Sequence, residues 1–530
     1  MKLARRRTGA RRALDAWPLL ASLLIACPAS AAAAAPSAPS AVPPSAPAAA
    51  PSPAPAAAPP AASPAGAEGH WEGAIDVPGG SLPVLVDLSR AGAVGAWTGA
   101  IDIPTQGAKQ LPLDEVTVAG DKVRFAIRGV PGAPTFDGTL AGGAIQGTFT
   151  QGGASIPFHL GRQPVKLPRR AQEPKPPYPY VQREVAYDNG AVHLAGTLTL
   201  PPGPGPFPAV LLITGSGPQN RDEEIFGHKP FLVIADHLTG AGIAVLRVDD
   251  RGVGGSTGRD AAATTADFTT DVLAGGRFLK AQPEIAKSSI GLLGHSEGGI
   301  IAPQAASRSR DVAFIILLAG TGEPGYDLLL DQIAAMARAE GASEEAVRKQ
   351  VDLERQALDL VRGEKDEATL RAKLAPLIRA GGEIASPEEK TPRRGTPDAA
   401  VEAELRAAVS PWFRYFVSYD PRAALRLVRV PVLALGGDKD VQVPAAKNLV
   451  SIEHALREGG DQDVTTHVLP GLNHLFQHAK TGSPAEYGAI EETIAPEALD
   501  LVTHWILDRF AVKPAAAHGR PQGQRSRLHA

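Results

Sequence analysis

Between residues 181 and 510 the chain carries short apolar runs, most of which end at glycine. These runs are PAVLLITG (208–215), AGIAVLRVD (241–249), SSIGLLGH (288–295), VAFIILLAG (312–320) and VPVLALGG (430–437). Helical patterns lie between several of them. Continuous apolar runs of this length are typical of parallel strands that are buried on both faces. The pattern predicts an α/β fold with a mostly parallel, doubly wound sheet, whose functional sites lie at the carboxyl ends of the strands.

Residues 70–162 have a different pattern, in which apolar and polar positions alternate over short segments separated by Gly and Pro turns. The sequence Trp-x-Gly-Ala-Ile-Asp occurs twice, beginning at Trp71 and at Trp97. Alternation of this kind predicts a small antiparallel β domain. We expect both tryptophans to belong to its core or to a sheet face rather than to a ligand platform.

One gap between the apolar runs, residues 321–427, is too long for a simple crossover. It contains helix-favouring sequence and predicts an inserted helical cap over about residues 322–420, whose charged positions we expect to be solvated faces. The cap ends in the aromatic stretch SPWFRYFVSYDP. Within it, Trp412 and Phe416 are candidate substrate-pocket residues, with packing between cap and sheet as the alternative.

The first 31 residues predict an export signal, because a basic head with Arg5–Arg7 and Arg11–Arg12 precedes a short apolar stretch. Two processing routes remain open. Ala29–Ala31 resembles a signal peptidase site, whereas Leu24–Cys27 resembles a bacterial lipobox whose cysteine is lipidated. Both routes predict a protein outside the cytoplasm, either free in the periplasm or medium or anchored to a membrane through Cys27.

The composition of three further segments predicts linkers or tails rather than folded units. Residues 32–69 consist almost entirely of Ala, Pro and Ser and predict a disordered spacer, residues 163–180 form a Pro-rich connector, and residues 513–530 form a polar tail. The catalytic region is therefore expected over residues 181–512.

Composition excludes several classes of function. The net charge of −3 over 530 residues offers no basic surface for a nucleic-acid partner. A single cysteine excludes a disulfide within the chain. The histidines lack a metal-ligand spacing, so we expect no metal and no cofactor.

Two segments match the nucleophile pattern Gly-x-Ser-x-Gly, namely residues 294–298 and residues 254–258. Ser296 follows an apolar strand and precedes GGIIAPQAA, which predicts a helix. Small residues at 294 and 298 allow a strand to turn sharply into a helix, which raises the serine above the sheet. Ser256 lies in a polar, Gly-rich loop that no strand enters at the serine. The context therefore favours Ser296 as the nucleophile.

A nucleophilic serine needs a base, and the base needs an acid that orients it. Downstream of Ser296, Asp438 and Asp440 follow the strand VPVLALGG, and His474 lies in a loop after VTTHVLPG. The order Ser, Asp, His is the one that strand-to-helix serine nucleophiles in α/β sheets use.

Residues 181–510 resemble the α/β-hydrolase superfamily, in its serine aminopeptidase-like and esterase-like branch. The matching segments are LITGSGPQNRD, VLRVDDRGVGGSTG, LLGHSEGG, VPVLALGGDKDVQVP and LPGLNH. The resemblance implies that Ser296 is the nucleophile and His474 the base. It favours Asp440 over Asp438 as the acid, because Asp440 precedes Val-Gln-Val-Pro. His478 is the alternative base.

The resemblance also implies an oxyanion hole formed by backbone N–H groups. One donor is expected from Glu297, the residue after the nucleophile, and the second from Ser216 in the loop Thr214–Gly217. This chain carries Thr214 where the superfamily often has histidine.

The preferred function is an exported carboxylesterase that acts on a small-molecule acyl substrate without a cofactor. A serine aminopeptidase or amidase with the same triad is the first alternative, since an acidic entrance formed by residues 222–224 and 297 would suit a free amine. The favoured interpretation of these acidic residues is a solvated loop. A non-catalytic surface binding protein is the second. A membrane partner is expected only through the lipid anchor.

Overall fold

The computed structural model describes residues 66–76, 81–90, 95–104, 108–128, 130, 134–151, 154–259, 262–383 and 398–510. The predicted export signal with Cys27, the spacer up to residue 65 and the tail at 513–530 lie outside these ranges. None of the described helices has the length and apolar character that a membrane span requires.

The first eight strands form a closed antiparallel barrel, in which β1 pairs with both β2 and β8. The strands are β1 (Gly69–Ile75), β2 (Leu82–Arg90), β3 (Trp97–Ile103), β4 (Ala108–Ala119), β5 (Lys122–Ile127), β6 (Thr135–Ala141), β7 (Ala144–Gln151) and β8 (Ala154–Gly161). Side chains fill the interior, among them the fully buried Trp71 and the stacked pair Phe125 and Phe136. Trp97 is half-buried and packs against the same core. The alternating pattern predicts such strands but not their closure into a barrel.

The second sheet has eight strands in the order β16-β15-β14-β13-β11-β12-β10-β9. They are β9 (Val181–Asn189), β10 (Val192–Leu200), β11 (Phe207–Ile213), β12 (Ala244–Val248), β13 (Ile285–His295), β14 (Phe314–Leu318), β15 (Val432–Gly437) and β16 (Val464–Leu469). The six strands from β11 to β16 are parallel wherever they pair, as the apolar runs predict. The antiparallel hairpin β9–β10 extends one edge.

Helices cover both faces of this sheet. They are α1 (Pro230–Gly240), α2 (Thr265–Ala281), α3 (Gly298–Ala306), α10 (Ala445–Gly459) and α11 (Pro496–Phe510). One buried core lies between the sheet and α2, α3 and α10, and a second lies between the sheet and α1 and α11. The chain therefore has the doubly wound arrangement that the strand pattern predicts.

The insertion after β14 is helical. It comprises α4 (Gly325–Ala339), α5 (Glu344–Gly363), α6 (Glu367–Glu383), α7 (Asp398–Ala408), α8 (Pro411–Ser418) and α9 (Arg422–Leu425). Helices α4 to α8 share a core of their own, which also includes Ile300 of α3 and Val443. Ile300 lies in the first turn of α3, which follows directly after the carboxyl end of β13. This shared core therefore places the cap over the carboxyl edge of the sheet.

Candidate active site

Ser296 lies on a sharp turn between β13 and α3, with a left-handed φ of 52°. Two glycines make this turn possible. A Cβ on Gly294 would lie 2.0 Å from the carbonyl oxygen of Gly298, and a Cβ on Gly298 would lie 2.3 Å from that of Ile213. The Ser296 N–H donates to the carbonyl oxygen of Leu318 at 2.9 Å, which ties the turn to β14. A non-glycine residue in this conformation costs about 1–3 kcal/mol, so the surrounding strands hold the serine in a strained position.

His474 and Asp440 form a buried pair behind this turn. Nδ1 of His474 lies 2.9 Å from Oδ2 of Asp440, and their side chains are 6% and 0% exposed. The other carboxylate oxygen, Oδ1, accepts the backbone N–H groups of Gln442 and Val443, each at 2.8 Å. Three donors therefore hold the carboxylate in one orientation. The bond to Nδ1 selects the tautomer of His474 whose Nε2 is able to accept a proton.

A cleft between the sheet and the cap brings the predicted site residues together. Its empty space is about 710 Å³ when the open solvent at its mouth is included. Four of its lining residues are ones that the sequence predicts to act as nucleophile, base or oxyanion-hole donor, namely Ser216, Ser296, Glu297 and His474. The apolar part of the wall comprises Ile225, Phe226, Ile300, Leu328, Phe416, Val443 and Leu475.

The loop after β11 enters this cleft next to the serine. The Gly215 N–H donates to Oε1 of Glu223 at 2.8 Å. The next residue, Ser216, is 7% exposed, and its Oγ has no hydrogen-bond partner among the residues described. A buried hydroxyl without a partner is costly in a folded protein, and this one lies in the wall of the cleft.

Part of the chain is similar to known hydrolases. Residues 230–373 match the family described as serine aminopeptidase, S33. Esterase EstD of Thermotoga maritima is 25% identical over 318 residues, which is 59% of this chain and 65% of that protein, slightly under two thirds of its length. These similarities support the assignment of residues 181–510 to the α/β-hydrolase superfamily.

Solved structures of esterases also align with part of this chain. The Pyrococcus furiosus esterase Pf2001 aligns with a TM-score of 0.39 and 15% identity, covering 66% of this chain and 99% of that one. Est1E from Butyrivibrio proteoclasticus aligns with a TM-score of 0.35 and 15% identity, covering 62% and 99%.

In the second Gly-x-Ser-x-Gly match, the hydroxyl of Ser256 stabilises a loop. The Oγ of Ser256 donates to the carbonyl oxygen of Asp249 at 2.7 Å and accepts the Ala195 N–H at 2.9 Å. The side chain is 8% exposed and fastens the loop after β12 to β10. Both hydrogen-bonding capacities of this hydroxyl are engaged, and it is not among the residues that line the cleft.

The alternative acid and base lie elsewhere. Asp438 accepts the Gly471 N–H at 2.6 Å and thereby stabilises the loop before His474. His478 is exposed and lies 2.9 Å from Glu492 and 3.1 Å from Glu497. Neither Asp438 nor His478 is a lining residue of the cleft.

The two candidate pocket aromatics differ in position. Phe416 lines the cleft, whereas Trp412 is not among the lining residues. Trp412 stacks on Phe416 at 5.6 Å between ring centroids, and its indole N–H donates to Oε1 of Glu297 at 2.8 Å. The same Oε1 accepts the Thr265 hydroxyl at 2.7 Å. Glu297 therefore joins the turn at Ser296 to α8 of the cap.

Sequence reasoning missed the pairing of Glu223 with His295. It treats residues 222–224 and 297 as a solvated loop or an acidic entrance, yet Glu223 and Glu297 are both 3% exposed. Oε1 of Glu223 lies 2.9 Å from Nδ1 of His295, across 72 residues of sequence. No local pattern signals a contact over that separation. Within the described ranges, no group of three or more His, Cys, Asp or Glu side chains is arranged to hold a metal ion.

Proposed function

We propose that this protein is a carboxylesterase that cleaves small or medium acyl esters through an acyl-enzyme on Ser296. The observation that carries the proposal is a single cleft lined by a serine on a strained strand-to-helix turn and by a histidine bonded to a buried aspartate. The similarity to Esterase EstD supports the ester over other acyl substrates.

The chemistry follows from this arrangement. His474 takes the proton of Ser296 as Oγ attacks the ester carbonyl carbon, and Asp440 stabilises the imidazolium that forms. The C–O bond to the alcohol then breaks, and His474 returns the proton to the leaving oxygen. Water attacks the acyl-enzyme with His474 again as the base, which releases the acid and regenerates Ser296.

Two backbone N–H groups, those of Glu297 and Ser216, are proposed to stabilise the oxyanion of the tetrahedral intermediate. The unpartnered Oγ of Ser216 is proposed as a third donor. Because Gly215 N–H is bonded to Glu223, the loop presents its next residue rather than Gly215 to the substrate.

An aminopeptidase would need a carboxylate available for the free amine of its substrate. Asp222 is bonded to Arg247, Glu223 to His295, and Glu297 to Thr265 and Trp412. These bonds engage carboxylates that the sequence suggested for that role. The ester reaction is therefore favoured over the aminopeptidase reaction.

The test compares p-nitrophenyl esters with aminoacyl-anilides, using purified protein and a fluorophosphonate probe. We expect ester turnover and covalent labelling, both abolished by Ser296→Ala, with a loss of kcat/KM of about 10³-fold or more. Ser256→Ala is the matched control, because it alters the same motif outside the cleft and should retain labelling. Anilide turnover without ester turnover would support the amidase instead, and labelling that survives Ser296→Ala would overturn the assignment.

Export is a separate part of the proposal and rests on the N-terminal sequence alone. Cell fractionation of wild type and Cys27→Ser tests the route. A wild-type protein in the membrane fraction that Cys27→Ser releases would support the lipid anchor. A protein retained in the cytoplasm would contradict export.

A further inference from the structure

The Pro-rich connector between the barrel and the hydrolase domain carries an arginine that binds the wall of the cleft. The guanidinium of Arg170 donates to four backbone carbonyl oxygens. Two belong to Phe226 and Gly227, at 3.2 and 3.0 Å, and two belong to Gly488 and Ile490, at 2.8 and 2.6 Å. One side chain therefore joins two loops that are more than 250 residues apart in sequence.

Both loops shape the cleft. Phe226 lines it, and so does Tyr487, which immediately precedes Gly488. The two rings meet edge to face with centroids 5.4 Å apart. Phe226 also has a left-handed φ of 51°, so its backbone is held in a conformation that it would not adopt freely. Arg170 binds the backbone at the point where these two aromatic residues meet.

The chemistry of the guanidinium group explains how Arg170 can hold two loops in place. A guanidinium has five donors in a rigid planar fork and binds several acceptors at once, and its charge strengthens each hydrogen bond. Burial lowers the pKa of Arg170, although the group stays charged because arginine titrates far above neutrality. Gln172 adds three bonds to the same region, accepting the N–H groups of Thr493 and Ile494 and donating to the Ile494 carbonyl.

The beginning of the connector is bonded to the barrel. The guanidinium of Arg162 lies 3.5 Å from the centroid of the Trp71 ring and donates to the carbonyl oxygens of Gly66, Glu68 and His70. Further along, the Val165 N–H donates to the carboxylate of Glu72 at 2.8 Å. Hydrogen bonds therefore hold the connector at its beginning, on the first strand of the barrel, and at its middle, on the wall of the cleft.

We infer that Arg170 is a positioning residue for substrate binding. It holds the loops of Phe226 and Tyr487 at a defined separation, and so sets the width of the cleft for the part of the substrate that contacts these rings. The connector thereby links the barrel to the loops that form the wall of the cleft. This inference rests on the proposed esterase function for its kinetic test and on geometry alone for its structural test.

The kinetic test uses the full chain with Arg170→Ala, and Arg169→Ala as the matched control. Arg169 reaches Glu491 through its backbone N–H, which alanine retains. We expect Arg170→Ala to raise KM for p-nitrophenyl butyrate about tenfold with kcat within about twofold, because uniform binding is lost while the triad is intact. Arg169→Ala should match wild type. A fall in kcat at unchanged KM, or equal kinetics for the two variants, would overturn the inference.

The structural test is hydrogen–deuterium exchange of the same proteins. We expect amides at 223–228 and 487–494 to exchange faster in Arg170→Ala than in Arg169→Ala, with barrel amides unchanged. Arg170→Lys keeps the charge but has a single ammonium in place of the fork, and should lie between the two. Unchanged exchange in both Arg170 variants would overturn the inference. If the wild type hydrolyses no ester, the proposed function fails, but hydrogen–deuterium exchange still tests whether Arg170 holds the two loops.

Discussion

Nδ1 of His295 lies 2.9 Å from the carboxylate of Glu223, and the pair is buried in the wall of the cleft. Nε2 of the same ring lies 3.0 Å from the carbonyl oxygen of His474. A carbonyl oxygen and a carboxylate both accept, so both ring nitrogens carry protons. Burial lowers the pKa of His295, but the charge and hydrogen bond of Glu223, the His474 carbonyl and the charge of Asp440 outweigh it, and the pKa is raised overall.

Replacing Glu223 with Gln removes the charge that raises this pKa. A histidine with a raised pKa contributes stability in full below its ordinary value of 6.5, and this contribution is lost as pH rises through the raised value. The difference in free energy of unfolding between wild type and Glu223→Gln should therefore be largest near pH 6 and shrink at alkaline pH, as urea unfolding would measure. Glu224→Gln is the control, and a difference that grows with pH would contradict the ion pair.

Ser216→Ala tests the third oxyanion donor. The substitution retains the backbone N–H and removes only the hydroxyl, which is buried and without a partner among the described residues. An interaction made only in the transition state lowers kcat and leaves KM unchanged, so we expect kcat on p-nitrophenyl esters to fall by about 10–100-fold. A raised KM with wild-type kcat would assign the hydroxyl to ground-state binding instead.

Two Gly→Ala substitutions separate local geometry from helix propensity. At Gly294 a Cβ would lie 2.0 Å from a backbone carbonyl oxygen, so Gly294→Ala should lose fluorophosphonate labelling and soluble yield. At Gly276 in α2 a Cβ meets nothing within 4 Å. Gly276→Ala should raise the free energy of unfolding by about 0.5–1 kcal/mol. Chemical denaturation measures the second effect, and wild-type labelling in Gly294→Ala would show that the turn tolerates a side chain.

The cap contains a carboxyl group whose burial makes stability depend on pH. Glu354 of α5 is 2% exposed, and its Oε2 has no hydrogen-bond partner among the described residues. Burial raises the pKa of Glu354 well above 4.5, and the negative charge of Glu404 on α7 raises it further. The unfolded chain then releases this proton at lower pH than the folded one, so stability falls as pH rises above 4.5.

Glu354→Gln replaces the titratable carboxyl group by a neutral amide and should therefore make the protein more stable than wild type at pH 8, with a smaller gain at pH 5. Thermal unfolding at the two pH values measures this difference. Glu345→Gln is the control, because Glu345 is exposed in the first turn of the same helix. A gain that is equal at both pH values would show that the buried charge is not its cause.

Much of the fold could be predicted from the sequence, because the features involved are local. Apolar runs of strand length place β11 to β15 within a few residues of their observed bounds. Gly294 and Gly298 mark the turn at Ser296, since the steric requirement for a missing Cβ lies within five residues. The sequence does not reveal the antiparallel hairpin β9–β10, because its strands lack a continuous apolar run. Strand β9 lies at the sheet edge, and most of its residues are exposed.

Other relationships depend on contacts between distant segments. The sequence presents two aspartates two positions apart, and the resemblance to a known superfamily favours Asp440. The contact itself depends on the loop after β16, which brings His474 to Asp440 rather than to Asp438. Likewise, Trp412 and Phe416 lie one helical turn apart, and only the seating of the cap decides which of them lines the cleft.

By itself, then, the sequence determined the strands β11 to β15, the cap insertion and the sharp turn at Ser296, because backbone sterics and burial over a few residues dictate them. Tertiary structure alone decided the closure of the barrel, the pairing of Glu223 with His295, and the reach of Arg170 to Ile490 across 320 residues. A hydrogen bond depends on the distance between two groups in space, and no local pattern encodes that distance when the intervening chain folds elsewhere.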